Sequence, residues 1–255
     1  MQYAIEKDKV YVLEANPRAS RTVPLVSKVC NIRMVPLAID IVTSELTGRT
    51  SPVPHLKERS IPYYGVKEAV FPFNMFQEVD PVLGPEMRST GEVLGLSQFY
   101  GEAFFKAQEA TQTKLPMGGS VLISVCEKDK AELAEIAKGF DEAGFKIYAT
   151  KGTQKALADA HIVSEFVYKI SEGGRPNTTD LITNGKIDLI INTPIGADGT
   201  ADDSYLRKAA IRKKIPYITT MAAAKATVSG IESMNKPGCG VVRSLQELHE
   251  MIQEI

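Results

Sequence analysis

From residue 121 onward the sequence alternates short β-forming runs with helical patterns, and this feature constrains the fold most strongly. The β-forming runs are VLISV, FKIYA, FVYKI, IDLIINT and PYITT. A helical pattern separates each pair of runs, and an Ala-rich helix, a final strand and a final helix are expected after the last. Strands that alternate with helices are joined by crossovers and pair in parallel. The sequence therefore predicts an α/β fold built on a doubly wound parallel sheet.

The first 111 residues carry a different pattern, which predicts a mixed α+β segment. The residues IEKDKV lie between two extended stretches, as in a hairpin, and two short helices follow, the second ending before Gly48. A strand is expected at residues 66–71, a loop over LGPEMRSTGEVLG and a helix at residues 97–110. The stretch TQTKLPMGGS lacks apolar periodicity. We therefore expect domains at residues 1–111 and 120–255, joined by a linker at residues 112–119.

The charge balance and the cysteines argue against several classes of protein. Lys and Arg number 30 against 31 Asp and Glu, so the net charge is -1 and no overall field favours nucleic acid or a membrane surface. The opening lacks the order of a signal peptide, and no apolar run approaches the ~20 residues of a membrane span. Separated cysteines and isolated histidines disfavour a disulfide framework, a zinc site and a His-based triad. We expect a cytoplasmic protein without nucleic-acid or membrane partners.

Polar and basic residues follow one another where the predicted hairpin ends. Side chains alternate along a strand, so Glu14 and Asn16 share a face. A carboxylate and an amide oxygen suit Mg²⁺. Arg18 and Arg21 can bind phosphate or carboxylate oxygens in bidentate fashion. The pattern predicts a metal-assisted clamp on a phosphoryl group, while spacing alone leaves ordinary surface ion pairs open as the alternative.

Polar residues also end four of the predicted parallel strands. The carboxyl ends of parallel strands share one edge of the sheet, where ligands bind. The candidate binding residues at this edge are Ser124, Lys130, Thr150, Gly152, Thr153, Lys169, Asn192 and Thr193. Gly152 is expected to permit a tight turn, and Thr153 to lie at a helix N-terminus that attracts anions. A single Ser or Thr at such a place more often caps a helix, but four polar strand ends together predict an anion-binding crevice.

The stretch LEANPRASRTVPLVSK closely resembles the end of the ATP-grasp fold in the large subunits of carbamoyl phosphate synthetases. In that family the Glu and Asn bind metal ions that bridge ATP phosphates, and the two Arg contact phosphate or the carboxy-derived substrate. The matching positions here are Glu14, Asn16, Arg18 and Arg21. The resemblance continues through YYGVKEAVFPFNMFQEVDPVLGPEMRSTGEVLG, in which Lys67 and Glu92 match positions near the passage that delivers carbamate. Taken in isolation, both are ordinary solvated charges.

Residues 119–255 resemble the methylglyoxal synthase-like regulatory domain that closes the same large subunit. In that family the domain binds nucleotide effectors such as uridine or inosine monophosphate, and in some members ornithine. The positions that match the family's effector site are Ser124, Lys130, Thr150, Thr153, Lys169 and Asn192. Pro194 and Ala197 depart from it, because some members carry a hydroxyl residue and an arginine there. SVCEKDKAELAEIAKGFDEAGFKIYATKGT also resembles the cyclohydrolase domain of purine synthesis.

The two resemblances together imply the C-terminal part of an ATP-dependent ligase of arginine and pyrimidine biosynthesis: an incomplete ATP-grasp α+β segment followed by an allosteric domain. They imply Mg²⁺ or Mn²⁺ with ATP, and as partners the remainder of the large subunit, a glutamine-hydrolysing small subunit, an effector and further copies in a homo-oligomer. In the family a lysine-bearing, glycine-containing loop and an adenine pocket lie upstream of this region. No GxxxxGK[ST] loop substitutes for them here, so we expect the chain alone to be inactive. The alternatives are a free-standing methylglyoxal synthase or cyclohydrolase-type enzyme and a non-catalytic nucleotide-binding and assembly module.

Overall fold

The computed structural model describes residues 1–75, 86–193 and 201–255. The chain divides into two compact units, the first made of Met1–Ile61 with Ser244–Ile255 and the second of Pro62–Arg243. Within the described ranges, no helix is both long and apolar enough to cross a membrane. The units are defined by packing and do not test the family boundaries predicted near residues 111 and 120, which stay a prediction.

The regular elements are numbered in chain order. The strands are β1 (Gln2–Glu6), β2 (Lys9–Glu14), β3 (Arg59–Ser60), β4 (Tyr64–Val70), β5 (Gly91–Ser97), β6 (Gly119–Ser124), β7 (Phe145–Thr150), β8 (Glu165–Val167), β9 (Leu189–Asn192), β10 (Tyr217–Ile218) and β11 (Gln253–Glu254). The helices are α1 (Thr22–Val29), α2 (Met34–Thr47), α3 (Tyr100–Ala110), α4 (Lys130–Glu142), α5 (Lys151–Asp159), α6 (Thr178–Thr183), α7 (Ala201–Lys213), α8 (Met221–Met234) and α9 (Leu245–His249). Short 3₁₀ turns lie at Val53–His55, Pro72–Met75, Glu127–Asp129 and Ile170–Glu172.

The first unit contains the predicted hairpin and two predicted helices. β1 and β2 pair antiparallel, and α2 ends at Gly48, whose φ of 66° is the left-handed conformation that glycine adopts without strain. The final strand was predicted wrongly. Residues 241–243 have no regular structure, α9 follows them, and β11 comes last and pairs antiparallel with β3. A run of two valines before a helix has strand propensity, but in the described structure these residues pair with no strand.

The second unit is built on the parallel sheet that the sequence predicts. Its strand order is β10-β9-β6-β7-β8, and each of the pairs is parallel. One face of the sheet packs on α4, α5 and α8 around Ile123, Phe140 and Ile231, which are buried. The other face packs on α6 and α7 around Leu122 and Ile190. Alternate residues of β6 thus enter different cores, and the α/β fold class is confirmed.

Strand β5 lies where the sequence predicted a loop. Residues 91–97 belong to this strand, which pairs antiparallel with β4 along its whole length. The two glycines in GEVLG, Gly91 and Gly95, misled the prediction because isolated glycine usually weakens a strand. Gly95 has a packing reason: a Cβ there would lie 2.0 Å from the Ala103 carbonyl oxygen of α3. The hairpin of β4 and β5 therefore packs its backbone directly on α3.

Candidate functional site

The strand order places a reversal of direction between β6 and β9. The chain runs from β6 outward through β7 and β8, then returns to the other side of β6 to form β9 and β10. Ligands of open α/β sheets bind at the carboxyl ends of the strands at such a switch point. Ser124 and Asn192 are the last residues of the two adjacent strands, and they pair in register. Ser124, Thr150 and Asn192 end neighbouring strands at this edge of the sheet, and we call the edge around them the switch-point crevice.

Three predicted hydroxyl residues form one cluster in this crevice. The Thr150 Oγ1 lies 3.2 Å from the Ser124 Oγ and 3.4 Å from the Thr153 Oγ1. The Val125 N–H donates to the Thr153 Oγ1 at 3.1 Å. All three hydroxyl side chains are buried. A hydroxyl carries one proton, so Thr150 donates to one neighbour at a time, and the cluster retains donor capacity for an anion.

A cation and a helix N-terminus converge beside this cluster. Thr150 is the N-cap of α5, so Gly152 and Thr153 lie within its first turn and not in a preceding loop. The tight turn expected of Gly152 is therefore not needed. The residue lies beside Lys130, because a Cβ added there would be in ordinary contact with the Lys130 Nζ at 3.5 Å. Lys130 pairs at 2.6 Å with Glu127, whose side chain is 87% exposed. Such an exposed pair is weak, so an anion can displace the carboxylate.

Thr193 and Lys169 were also predicted for the crevice, but they do not belong to the hydroxyl cluster. The Thr193 Oγ1 accepts the Cys126 N–H at 2.9 Å and so ties β9 to the turn after β6. Hydrogen bonds from the Cys126 thiol and from Thr193 hold the pKa of the Asp129 carboxyl below its usual range. Lys169 lies two residues beyond β8, later than predicted. It lines a groove of about 810 Å³ together with Lys151, Gly152 and Lys155.

Sequence reasoning missed a buried polar group at the end of β9. The Asn192 Nδ2 donates to the Asp203 Oδ1 at 2.7 Å and to the Tyr217 hydroxyl at 2.7 Å. Asp203 belongs to α7 and Tyr217 is the first residue of β10, so neither lies at the carboxyl end of a strand. The sequence signals only Asp203, through the Asp pair in the first turn of α7. Acidic residues there are usually explained by a favourable interaction with the helix dipole.

The first predicted constellation lies at the end of β2. The Asn16 Nδ2 donates to the Glu14 Oε1 at 2.9 Å, so the two side chains lie together as the strand alternation predicts. Arg18 lies in the turn that follows, and Arg21 is the N-cap of α1. No group of three or more His, Cys, Asp or Glu suited to a metal occurs among residues 1–75, 86–193 and 201–255. Glu14 and Asn16 are two oxygen-bearing groups in contact, and their role as metal ligands stays a prediction.

Comparisons with known proteins extend these observations over the whole chain. The family described as MGS-like domain matches residues 132–219. The carbamoyl phosphate synthase large chain of Acidobacterium capsulatum is 46% identical over 252 residues, which are 98% of this chain and 23% of the relative. The proteins named carbamoyl phosphate synthase large chain, C-terminal section, match at 42% identity in Aquifex aeolicus and 46% in Methanopyrus kandleri. These matches cover 98% and 97% of this chain, and 50% and 46% of the relatives.

The chain is a relative of the C-terminal section of carbamoyl phosphate synthase large chains. It spans about half the length of the relatives named as sections and about a quarter of the full large chains. A solved methylglyoxal synthase from Elizabethkingia anophelis NUHP1 aligns with a TM-score of 0.38 at 16% identity, covering 55% of this chain and 86% of that one. That likeness carries no argument, and the fold assignment rests on the domain match and the sheet.

Lys67 and Glu92, which resemble carbamate-passage positions of carbamoyl phosphate synthases, contact each other. They lie on the paired strands β4 and β5, and the Lys67 Nζ is 3.4 Å from the Glu92 Oε2. Both side chains are partly exposed, so the pair contributes little stability. Pro194 and Ala197, where the sequence departs from some family members, lie outside the described residues.

Tyr217 gives the crevice a measurable pH signature. Burial raises the pKa of its phenol to about 12, so one of the nine tyrosines should titrate late in an ultraviolet absorbance titration. Because the folded pKa exceeds the unfolded value of about 10, its contribution to stability is complete below pH 10 and is lost as pH rises toward 12, by about 2–3 kcal/mol. Tyr217→Phe should remove the late step, and Tyr205→Phe, which removes an exposed phenol, should leave it. A late step that survives in Tyr217→Phe would contradict the assignment.

Proposed function

We propose that the switch-point crevice binds the phosphate of a nucleotide monophosphate effector of carbamoyl phosphate synthase, and that the chain is the allosteric and ligase-completing end of the large chain. The observation that carries the proposal is the convergence of Lys130, the N-terminus of α5 and the hydroxyls of Ser124, Thr150 and Thr153. These groups come from three separate stretches of the sequence. A sheet that merely capped its helices would not require Lys130 beside the same helix N-terminus.

The magnitudes explain why several groups are needed. One helix N-terminus contributes about 0.3–1 kcal/mol toward an anion. Micromolar affinity corresponds to about 8 kcal/mol. A charge-assisted hydrogen bond adds about 1.5–3 kcal/mol, so a lysine and two or three hydroxyls bring the total into the range of a micromolar effector. Lys169, which lines the adjoining groove with Gly152, supplies a second cation at the edge of the site.

The first unit supports the ligase half of the proposal. If the complete enzyme holds Mg²⁺ or Mn²⁺ with ATP, Glu14 and Asn16 would ligate the metal, which would supply charge neutralisation during phosphoryl transfer. Arg18 and Arg21 would hold the transferred phosphoryl group or the carboxy-derived substrate, and Lys67 and Glu92 would line the route of carbamate. Measured carbamoyl phosphate formation by the purified chain alone would contradict the view that this end of the protein is not sufficient for activity.

The hairpin of β1 and β2 indicates what completes the ligase. All residues of β2 are exposed, including Val12 and Leu13 on its two faces. A two-stranded hairpin that buries neither face is marginally stable by itself. We infer that the remainder of the large chain covers it and that the glutamine-hydrolysing small subunit joins the same assembly. The separate C-terminal sections of Aquifex and Methanopyrus relatives support an assembly of this kind.

The match along nearly the whole chain favours this function over the two alternatives. A free-standing methylglyoxal synthase or cyclohydrolase-type enzyme leaves residues 1–111 without a role. A non-catalytic assembly module leaves the adjacent Glu14 and Asn16 without one. All three hypotheses include a ligand-binding crevice. Measurements of nucleotide binding therefore test the part of the function that they have in common.

Lys130→Ala should weaken binding of uridine and inosine 5′-monophosphate about tenfold, which corresponds to about 1.4 kcal/mol. The physical reason is the loss of the cation beside the N-terminus of α5. Thermal shift and calorimetric titration measure the effect, since a ligand at about one hundred times Kd stabilises the fold by about 2.7 kcal/mol.

Lys138→Ala is the matched control for this test. Lys138 lies on the same helix, and its side chain is 70% exposed in a pair with Glu142. It should leave the affinity unchanged. If neither nucleotide raises the melting temperature of the unaltered chain, or if the two lysine variants bind equally well, the effector assignment fails.

A further inference from the structure

Asn192 is held by two groups that neither the sequence patterns nor the family resemblance identified. Its Nδ2 lies 2.7 Å from the Asp203 Oδ1 and 2.7 Å from the Tyr217 hydroxyl. An amide nitrogen carries two protons. Both are therefore engaged, and the nitrogen has no proton left for a ligand.

The chemistry of the partners decides which end of the amide faces them. An ionised carboxylate only accepts hydrogen bonds, so Asp203 requires the nitrogen of Asn192 and not its oxygen. The Tyr217 hydroxyl accepts the other proton. The assignment of nitrogen and oxygen thus follows from the neighbours, which is the valid basis for orienting an amide.

The position of the two partners directs the oxygen toward the crevice. Strand β9 lies between β10 and β6. Tyr217 lies on β10, so the nitrogen points toward that side of β9. The oxygen is the other branch of a planar group, so it lies on the side of the amide away from Asp203 and Tyr217. Ser124 of β6 is the residue paired with Asn192 on the other side of β9. Among the described residues, no hydrogen bond to the Asn192 Oδ1 is found.

We propose that Asp203 and Tyr217 are positioning residues that present the Asn192 Oδ1 to the switch-point crevice, so that the site selects ligands offering a neutral hydrogen-bond donor. A ribose hydroxyl and a base N–H are the two sources of such a donor on a nucleotide. The inference rests on the proposed effector function of the crevice. It adds a rule of selection: an analogue that lacks the donor is rejected even when its phosphate is intact.

The selection depends on one accessible atom of a largely buried residue. Asn192 is 3% exposed as a whole, but its Oδ1 is not a buried atom without a partner, so this oxygen is open to a ligand. Sites built to hydrogen-bond a group discriminate against analogues that lack it far better than apolar pockets discriminate by size. We therefore expect at least about tenfold weaker binding for the analogue that lacks the contacting donor.

The test compares three ligands on the unaltered chain by calorimetric titration. They are uridine 5′-monophosphate, its 2′,3′-dideoxy analogue and its N3-methyl analogue, or the corresponding inosine series if the inosine nucleotide is the one that binds. Weaker binding of the dideoxy analogue identifies the ribose as the source of the donor, and weaker binding of the methylated analogue identifies the base. Equal affinity for all three overturns the selection while leaving the effector function intact.

Tyr217→Phe and Asp203→Asn separate positioning from a structural role. Each releases one constraint on the amide, which can then turn its nitrogen toward the crevice. We expect the ratio between the parent nucleotide and the discriminated analogue to fall toward one in both variants. Tyr205→Phe, at a phenol 63% exposed on α7, should keep the ratio of the unaltered chain. Variants that weaken all three ligands equally, with an unchanged ratio, overturn the positioning role.

Proton exchange in the ligand-free protein tests directly whether the side-chain amide of Asn192 is held in place. The side-chain NH₂ of Asn192 should exchange its protons with water slowly in nuclear magnetic resonance spectra, and faster in Tyr217→Phe. The exposed Asn31 supplies the reference for rapid exchange. If Asn192 exchanges as fast as Asn31, the inference fails whatever the nucleotides do. If Asn192 is protected but the unaltered chain binds no nucleotide, the proposed function fails, and donor selection fails with it.

Discussion

Gly101→Ala should lower the free energy of unfolding of the second unit by about 3 kcal/mol, the upper end of the usual cost of overpacking. Gly101 lies in the first turn of α3, and a Cβ there would lie 2.2 Å from the Ser229 carbonyl oxygen of α8. A backbone atom cannot turn aside as a side chain can, so the two helices must separate. Thermal unfolding should show a melting temperature lower by about 5–10 °C.

Gly118→Ala is the control, because an added Cβ at Gly118 meets nothing within 4 Å and its φ is not positive. The same chemical change there should be nearly neutral or slightly stabilising, since alanine restricts the unfolded chain. Equal melting temperatures for the two variants would show that α3 does not pack on α8 as closely as described.

The contact of α3 with α8 matters for function because it joins two parts of the sequence that carry different family resemblances. Helix α3 precedes the predicted linker and α8 follows the crevice strands. Phe104 and Phe105 of α3 and Ala226 of α8 share one buried cluster. The buried Glu102 accepts the Ser97 hydroxyl at 2.7 Å and the Gly240 N–H at 3.0 Å. The packing of α3 on α8 therefore joins residues 91–110 to the helix that follows the crevice strands.

The parallel sheet could be predicted from the sequence because its signal is local and repeated. Each buried strand is a short apolar run, and α4 shows a clear period with Leu133 and Phe140 on its buried face. Strand β5 could not be predicted, because Gly95 is required by the close approach of α3 and not by strand propensity. The pairing of β11 with β3 joins residues far apart in sequence, and nothing local indicates it.

The residues of the candidate site also fall into those that the sequence could predict and those that it could not. Ser124, Thr150 and Asn192 are the last residues of their strands. The rule that ligands bind at the carboxyl ends of parallel strands therefore predicts them. Asp203 and Tyr217 act through Asn192, and no pattern of spacing connects them to it. The sequence also suggested that Gly152 enables a turn, whereas the residue lies in the first turn of α5 beside Lys130. That neighbourhood depends on how α4 and α5 pack.

Thr153→Val should weaken nucleotide monophosphate binding by about 10–100-fold, the loss expected for a hydrogen bond to a charged group. Valine keeps the shape of threonine and removes the hydroxyl that lies 3.4 Å from Thr150 in the crevice. It also leaves the Val125 N–H without its acceptor. We therefore expect a second effect, a loss of about 1–3 kcal/mol in the free energy of unfolding.

The two effects of Thr153→Val can be separated with Thr227→Val. The Thr227 hydroxyl is fully buried in α8 and donates to the Ala223 carbonyl oxygen at 2.8 Å, away from the strand ends. Its replacement also exchanges a buried hydroxyl for a methyl group, so stability should fall modestly while the affinity measured by calorimetry stays unchanged. If Thr153→Val behaves in the same way, losing stability but not affinity, the Thr153 hydroxyl only ties α5 to the turn after β6. The phosphate would then be held by Lys130 and the backbone N–H groups of α5, and the hydroxyl cluster would have no part in binding.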